Sequence, residues 1–124
     1  MTTTRRSGRR PAWIAQAAAR DDSPTTNYAV SVGAGDILAG PWVRKACERH
    51  ARDLVRGKKR GISFDPDAAL RVFKFFEDFL RLAEGQFDGL PFRLEPWQLF
   101  IVGSLFGWKR RDGSRRFRTG YLEI

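Results

Sequence analysis

The sequence predicts a mainly α-helical fold with a short β hairpin or strand near its end. Two segments that begin with a proline place apolar residues at helical spacing, and a third, between Pro96 and Gly107, is apolar on almost every side. Asp112 and Gly113 then form a tight-turn dipeptide before a segment of alternating side chains. With 124 residues, the chain is long enough for one modest domain.

Residues 1–27 are predicted to be a flexible basic arm, and residues 28–124 the folded part. Thr, Arg, Ser and Pro dominate the arm, and its run WIAQAAA is expected to form at most one short helical turn. Residues 28–32 are predicted to be a brief extended segment. The glycine-rich stretch GAGDILAGP that follows is predicted to be a loop with at most one helical turn.

The first helix is predicted to begin near Pro41, which suits the first helical position, and to end in the breaker GKKRG at residues 57–61. One face is apolar or weakly polar and consists of Val43, Ala46, Cys47, His50 and Leu54. The other face is charged, and its spacing predicts two ion pairs, Glu48–Arg52 and Arg49–Asp53.

The second helix is predicted to start with Asp65 as the N-cap and Pro66 at the first position, and to end at Gly85. A polar stripe runs along Asp67, Arg71, Lys74, Asp78 and Arg81. The wide apolar arc that remains comprises Leu70, Val72, Phe73, Phe76, Phe79, Leu80 and Ala83. An arc of this width predicts packing against more than one neighbour.

The third helix is predicted to start at Glu95-Pro96 and to end at Gly107. Its side chains leave almost no polar face, so the helix is predicted to be buried on all sides. Asp112-Gly113 is then predicted to be a hairpin turn, and residues 116–124 a strand.

The formal charge of +9 is concentrated at the two ends of the chain. Residues 1–27 carry +3 and residues 108–124 carry +4, whereas the middle carries only +2. Basic ends of this kind suit a polyanion such as nucleic acid, or else they are a solvated tail and turn. The candidate phosphate contacts are Arg110, Arg111, Arg115 and Arg116.

Cys47 and His50 form a C-x-x-H pair on one helical face. They are the only cysteine and the only histidine, whereas a structural zinc site needs four ligands. We therefore predict that the pair packs in the core, and we predict no metal site and no catalytic residue. A single cysteine also excludes an internal disulfide and is compatible with a reducing compartment.

The expected location is the cytoplasm. No stretch approaches the roughly 20 apolar residues that span a bilayer. The N-terminus is rich in Arg and Thr and lacks the apolar core of a secretory signal.

The tripeptide Pro96-Trp97-Gln98 is the candidate ligand-binding motif. A glutamine amide at a helix start could pair with an adenine edge, using its carbonyl and its NH2 group together. The alternative is an ordinary helix start with Trp97 in the core. The G-x-x-x-x-G-K-[ST] loop that cradles nucleotide phosphates is not in the sequence.

The order of these segments resembles the N-terminal region of the large terminase subunits of tailed phages. The resemblance covers residues from about Tyr28 to the end and is carried by WVRKACERHARDL, FKFFEDFLRLAEGQFDGLPFRLEPWQLFIVGSLFGW and SRRFRTGYLEI. It implies that the chain is the N-terminal helical part of a RecA-like α/β ATPase domain. It further implies that Gln98 contacts the adenine of ATP, with Pro96 and Trp97 shaping the site.

In that family the strand matching YLEI leads into the phosphate-binding loop, and a Walker B acid pair and a nuclease domain follow. This sequence ends before all of them, so we expect an incomplete, prophage- or phage-encoded fragment that is inactive alone. The resemblance implies ATP and Mg²⁺ for the whole protein, although this chain holds no predicted Mg²⁺ ligands. It also implies double-stranded DNA, the portal protein and the small terminase subunit as partners, in the host cytoplasm.

Two alternatives remain open. The chain could be a small, non-enzymatic, basic nucleic-acid-binding protein that acts through its N-terminal arm and the turn at residues 109–118. It could also be an interaction module whose strand edge and apolar helix dock on a partner. An apolar surface that is covered in a complete protein would be exposed in the isolated chain, so we expect the isolated chain to self-associate.

Overall fold

The computed structural model describes residues 11–79 and 93–120. Helices account for most of these residues, and two short strands form an antiparallel pair. The prediction of a mainly α fold with a small β element is confirmed. The elements in chain order are α1 (Ala12–Arg20), α2 (Pro24–Ala34), α3 (Pro41–Arg56), a 3-10 turn (Gly57–Arg60), β1 (Ile62–Phe64), α4 (Pro66–Phe79), α5 (Pro96–Gly107) and β2 (Trp108–Arg110).

Two helices occupy the region that was predicted to be arm and extended chain. α1 covers the alanine-rich run, where alanine has the highest helix propensity, and it buries Ile14 and Ala17 against α3 and α2. α2 begins at Pro24 and buries Thr25 and Thr26. The prediction of a flexible arm is therefore wrong for residues 12–27, and that of an extended segment is wrong for residues 28–32. Residues 1–10 lie outside the described part of the chain.

α3 and the turn after it follow the prediction closely. α3 spans Pro41–Arg56, and the 3-10 turn Gly57–Arg60 replaces the predicted breaker. Cys47 and His50 are both buried, which confirms their predicted place in the core. Neither predicted ion pair of this helix forms. Asp53 turns inward to Arg60 and Arg116 instead of Arg49, and Glu48 is not within ion-pair distance of Arg52.

α4 begins as predicted, but it buries less than its apolar arc suggested. The carboxylate of Asp65 accepts a hydrogen bond from the backbone N–H of Ala68 at 3.2 Å, as an N-cap does. Within the described part, Phe73 is buried, whereas Leu70 and Phe79 are exposed. The predicted end at Gly85, together with Leu80, Arg81 and Ala83, lies outside the described residues.

α5 begins at Pro96 and ends at Gly107, as predicted, but it is not buried on all sides. Only Phe100, Gly103 and Gly107 are buried, and Trp97 at its start is 40% exposed. The near-continuous apolar surface of this helix is shared among contacts with α2, α4 and β2.

The hairpin turn is confirmed, but the strand after it is not. The N–H of Arg110 donates to the carbonyl of Ser114 at 2.8 Å, and Gly113 adopts the left-handed φ of 87° that such turns require. Lys109 and Arg115 form an isolated bridge. Residues 116–120 are irregular, so the predicted strand is wrong there, and residues 121–124 lie outside the described part.

The pairing of β1 with β2 was not predicted. The register places Ile62 opposite Arg110 and Phe64 opposite Trp108. The ring of Phe64 lies against Gly107, where a Cβ would come within 2.4 Å of it. The strand before α4 and the strand after α5 are thereby joined into one small sheet.

The core lies where α2, α3 and α5 meet. Its centre is built from Ala29, Val32, Cys47 and Phe100, and Tyr28 stacks on Phe100 with ring centroids 5.5 Å apart. Within residues 11–79 and 93–120, no helix has both the length and the apolar character needed to cross a bilayer.

Candidate functional site

The start of α5 presents the tripeptide predicted to contact adenine. Glu95 is the N-cap, with an extended backbone, and Pro96 occupies the first helical position. The Gln98 side-chain carbonyl accepts a hydrogen bond from the N–H of Glu95 at 2.8 Å, while the Glu95 carboxylate accepts one from the N–H of Gln98. This reciprocal capping box fixes the orientation of the Gln98 amide.

The capping box leaves most of the Gln98 amide free to bind a ligand. A side-chain carbonyl has two lone pairs and the NH2 group has two hydrogens, and the box uses one lone pair. Beside it, the Trp97 indole is 40% exposed, which contradicts the alternative of a core tryptophan. An adenine ring needs one acceptor, one donor and a flat apolar neighbour, and these residues offer all three.

Contacts from α2 hold the first turns of α5 in place. The Thr25 hydroxyl donates to the carbonyl of Leu99 at 2.9 Å. One turn further, Gly103 passes so close to α2 that a Cβ there would lie 1.7 Å from the Thr25 hydroxyl oxygen. The backbone that carries Gln98 therefore has little freedom to move relative to α2.

At the other end of α5, Asp53 holds two arginines. Its carboxylate is 1% exposed and accepts hydrogen bonds from Arg60 at 3.0 Å and from Arg116 at 2.7 Å. The Arg116 guanidinium also lies over the rings of Trp108 and Phe117, at 5.5 and 4.8 Å from their centroids. Arg116, which was predicted to contact phosphate, is thus largely buried in an ion pair of the fold.

The other three predicted phosphate contacts remain on the surface. Arg110 and Arg111 are exposed at the end of β2, and Arg115 is exposed with its guanidinium over the Phe106 ring, 5.0 Å from the centroid. The structure does not bring these arginines to the start of α5, because the whole length of α5 separates the two places.

A buried hydrogen-bond chain runs behind the sheet. The Trp108 indole N–H donates to Nδ1 of His50 at 3.0 Å, so the neutral ring carries its proton on Nε2. That nitrogen lies 2.8 Å from the Thr26 hydroxyl, which in turn donates to Asp21 at 2.5 Å. Every polar atom of the His50 ring is therefore satisfied inside the protein.

Burial keeps His50 uncharged. Desolvation lowers the pKa of His50 from 6.5 to about 4. The charges of Asp21 and Asp53 have a smaller effect that raises this pKa, and the charges of Arg49 and Arg116 have a smaller effect that lowers it. The pKa of Cys47 is likewise raised to about 12, mainly by burial, so this thiol is not an activated nucleophile. No group of three His, Cys, Asp or Glu in the described part of the chain could hold a metal ion.

Sequence reasoning missed the roles of Asp53, Thr26 and Trp108. Asp53 was assigned to a pair with Arg49 because both lie on the same helix four residues apart. Its actual partners are seven and sixty-three residues away in the chain. The only signal in the sequence was the position of Asp53. It follows His50 by three residues, which places it beside the apolar face of the helix.

Comparison of the chain with protein-family models, with curated proteins and with solved structures gives no match.

Proposed function

We propose that this chain is the N-terminal segment of a terminase large subunit and that the start of α5 is its contact with the adenine of ATP. The observation that carries the proposal is the oriented Gln98 amide beside the exposed Trp97 indole. The order of sequence segments that resembles the terminase family supports it independently.

The proposal concerns recognition of the base and not catalysis. Gln98 would donate from its NH2 group and accept at its remaining carbonyl lone pair, while Trp97 packs on the base and Pro96 shapes the edge of the site. We assign no contact with the phosphates of ATP or with Mg²⁺ to the described residues. The chain alone is expected neither to hydrolyse ATP nor to cut DNA.

The whole protein would belong to an ATP-driven motor that packages DNA. Its partners would be double-stranded DNA, the portal protein and the small terminase subunit, in the cytoplasm of a phage-infected or prophage-bearing host. The helical region described here would be the part of a RecA-like ATPase domain that covers the base.

Saturation-transfer NMR with the full chain tests the adenine contact, because the method detects weak binding. We expect protein saturation to reach the H2 and H8 protons of AMP more strongly than the H8 proton of GMP. Gln98→Glu is the sharpest variant, since a carboxylate can still accept the Glu95 N–H and keep the helix cap but has no NH2 group to donate. We expect the AMP signal to fall severalfold in this variant.

Trp42→Phe is the matched control for Trp97→Phe, because Trp42 is the more exposed tryptophan and lies at the start of α3. Trp97→Phe should weaken the AMP signal and Trp42→Phe should not. Equal signals from AMP and GMP, or an unchanged signal in Gln98→Glu, would contradict the proposal.

The coding DNA supplies a second test that needs no protein. The codons after Ile124 are expected to encode a loop rich in Gly and Lys, in frame or out of frame. An unrelated intact gene at that place would argue against a terminase origin.

A further inference from the structure

Two basic segments that are far apart in the sequence lie side by side in the structure. β1 and β2 run antiparallel with Ile62 opposite Arg110. The 3-10 turn Gly57–Arg60 comes just before β1, and Arg111 comes just after β2. Both basic segments therefore extend past the same end of the sheet, where neighbouring strands are about 4.8 Å apart.

The side chain of Arg111 reaches across this gap. Its guanidinium carbon lies 3.4 Å from the position that a Cβ would take on Gly61, the residue that follows the 3-10 turn. This is ordinary van der Waals contact distance, so the Arg111 side chain packs against the backbone at Gly61. The two basic segments thus lie side by side at one end of the sheet and form one surface.

Most of the cations on this surface have no acidic partner. Arg60 and Arg116 pair with the buried Asp53 and are excluded. No other described carboxylate lies within ion-pair distance of the remaining cations. We name these the composite basic surface: Lys58, Lys59, Lys109, Arg110, Arg111 and Arg115.

The one exposed acid in the turn contributes to its geometry. The Asp112 carboxylate accepts hydrogen bonds from the Ser114 N–H at 2.9 Å and from the Ser114 hydroxyl at 2.6 Å. These bonds, followed by the charge of Arg110, lower the pKa of Asp112. The carboxylate thus closes the turn that separates Arg110 and Arg111 from Arg115.

We infer that the composite basic surface binds the phosphate backbone of duplex nucleic acid. Arginine guanidinium groups and lysine ammonium groups on a short, firmly held turn suit closely spaced phosphates, whose neutralisation releases counterions. The inference extends the sequence-based assignment of the turn. It adds Lys58 and Lys59 from the 3-10 turn and removes Arg116.

The position of the exposed apolar side chains favours nucleic acid over a membrane or a protein partner. Insertion into a membrane surface and protein interfaces both rely on aromatic or aliphatic anchors. The large exposed apolar residues of the described chain lie before and on α3, on α4 and at the start of α5. None of them lies on the 3-10 turn or on the turn after β2.

The inference rests on the placement of charges and does not depend on the adenine contact. For the proposed terminase segment it would name the surface that meets DNA. Loss of the AMP signal with intact DNA binding, or the reverse, would separate the failure of one idea from the failure of the other.

Fluorescence anisotropy with a labelled 20-base-pair DNA duplex tests the inference on the full chain between 50 and 200 mM NaCl. Lys58→Ala/Arg110→Ala takes one exposed cation from each segment. We expect its affinity to fall on the order of tenfold at 0.1 M salt, and the slope of log affinity against log salt to flatten by about 2. Thermal melting should confirm that the variant remains folded, since both side chains are exposed.

Arg44→Ala/Lys45→Ala is the matched control, because it removes the same charge near the start of α3, about 18 Å along the helix axis from Arg56. It should change the affinity less than twofold. Equal losses in the two double variants would overturn the inference, as would the absence of salt-dependent binding. Displacement of the duplex by poly-glutamate at equal charge concentration would also overturn it, in favour of an acidic protein partner.

Discussion

The N-cap of α5 is made by residues of its own first turn, whereas the segment that follows its last turn is held by side chains from a distant part of the chain. The capping box of Glu95 and Gln98 spans four residues and is exposed to solvent. The segment after Gly107 is bound to His50 and Asp53, which come from α3. The exposed end has spare hydrogen-bonding capacity for a ligand, and the buried end has almost none.

This difference indicates that one end of α5 contributes to folding and the other is available for binding. His50, Trp108 and Asp53 at the buried end are already paired, so they contribute to the free energy of folding. Groups at the exposed end are oriented but incompletely used, which is the condition for binding something else. Substitutions at the two ends should therefore differ in size and in what they change.

The largest effect is expected from Asp53→Ala. Removal of this carboxylate leaves Arg116 largely buried without a counter-charge, and breaking such a pair from one side costs about 3 kcal/mol or more. Urea denaturation would measure the loss in the free energy of unfolding. Asp78→Ala, which removes the exposed partner of Lys74, is the control and should cost less than about 0.5 kcal/mol. Similar losses in both variants would remove the contrast between the buried and the exposed ends.

The next effect concerns pH. Because the pKa of His50 is about 4 in the folded protein and 6.5 in the unfolded chain, the unfolded chain binds more protons between these values. His50 thus makes the protein less stable as the pH falls below 6.5, and its contribution is lost by about pH 4. The difference corresponds to about 3 kcal/mol.

Denaturant midpoints measured between pH 7 and 4 would detect this change. His50→Gln should be less stable at pH 7 and should lose less of its remaining stability on acidification than the parent chain does. A parallel pH dependence in the two proteins would show that other groups dominate in this range.

The smallest effect on stability is expected from Gln98→Ala, at the exposed end. The variant loses one half of the capping box, which is worth about 0.5 to 1 kcal/mol. Thermal melting should show a small decrease in Tm, while Gln98→Glu should retain the parent value. A loss as large as that of Asp53→Ala would mean that the start of α5 is as integral to folding as its end.

The same contrast explains which features could be predicted from the sequence. The starts of α3, α4 and α5 were predicted because proline and capping residues act over three or four positions. The tight turn at Asp112-Gly113 is equally local. The candidate ligand residues lie at one of these local features, so they could be named without the structure.

The features that failed depend on contacts between distant residues. α2 contains β-branched and polar residues that favour other conformations, yet its Thr25 and Thr26 hydroxyls find partners on α5, α3 and the loop before α2. The pairing of β1 with β2 joins segments more than forty residues apart. Neither interaction has a signature in a short window of sequence.

The close approach at Gly103 also has a consequence for how the chain can vary. Because the Thr25 hydroxyl oxygen occupies the space that any side chain at position 103 would need, the two positions are coupled. Replacing glycine by alanine is normally favourable inside a helix. At position 103 it would push α5 away from α2 and shift the first turn of α5, which carries Gln98. In homologous proteins, a larger residue at 103 should accordingly be accompanied by a smaller one at 25.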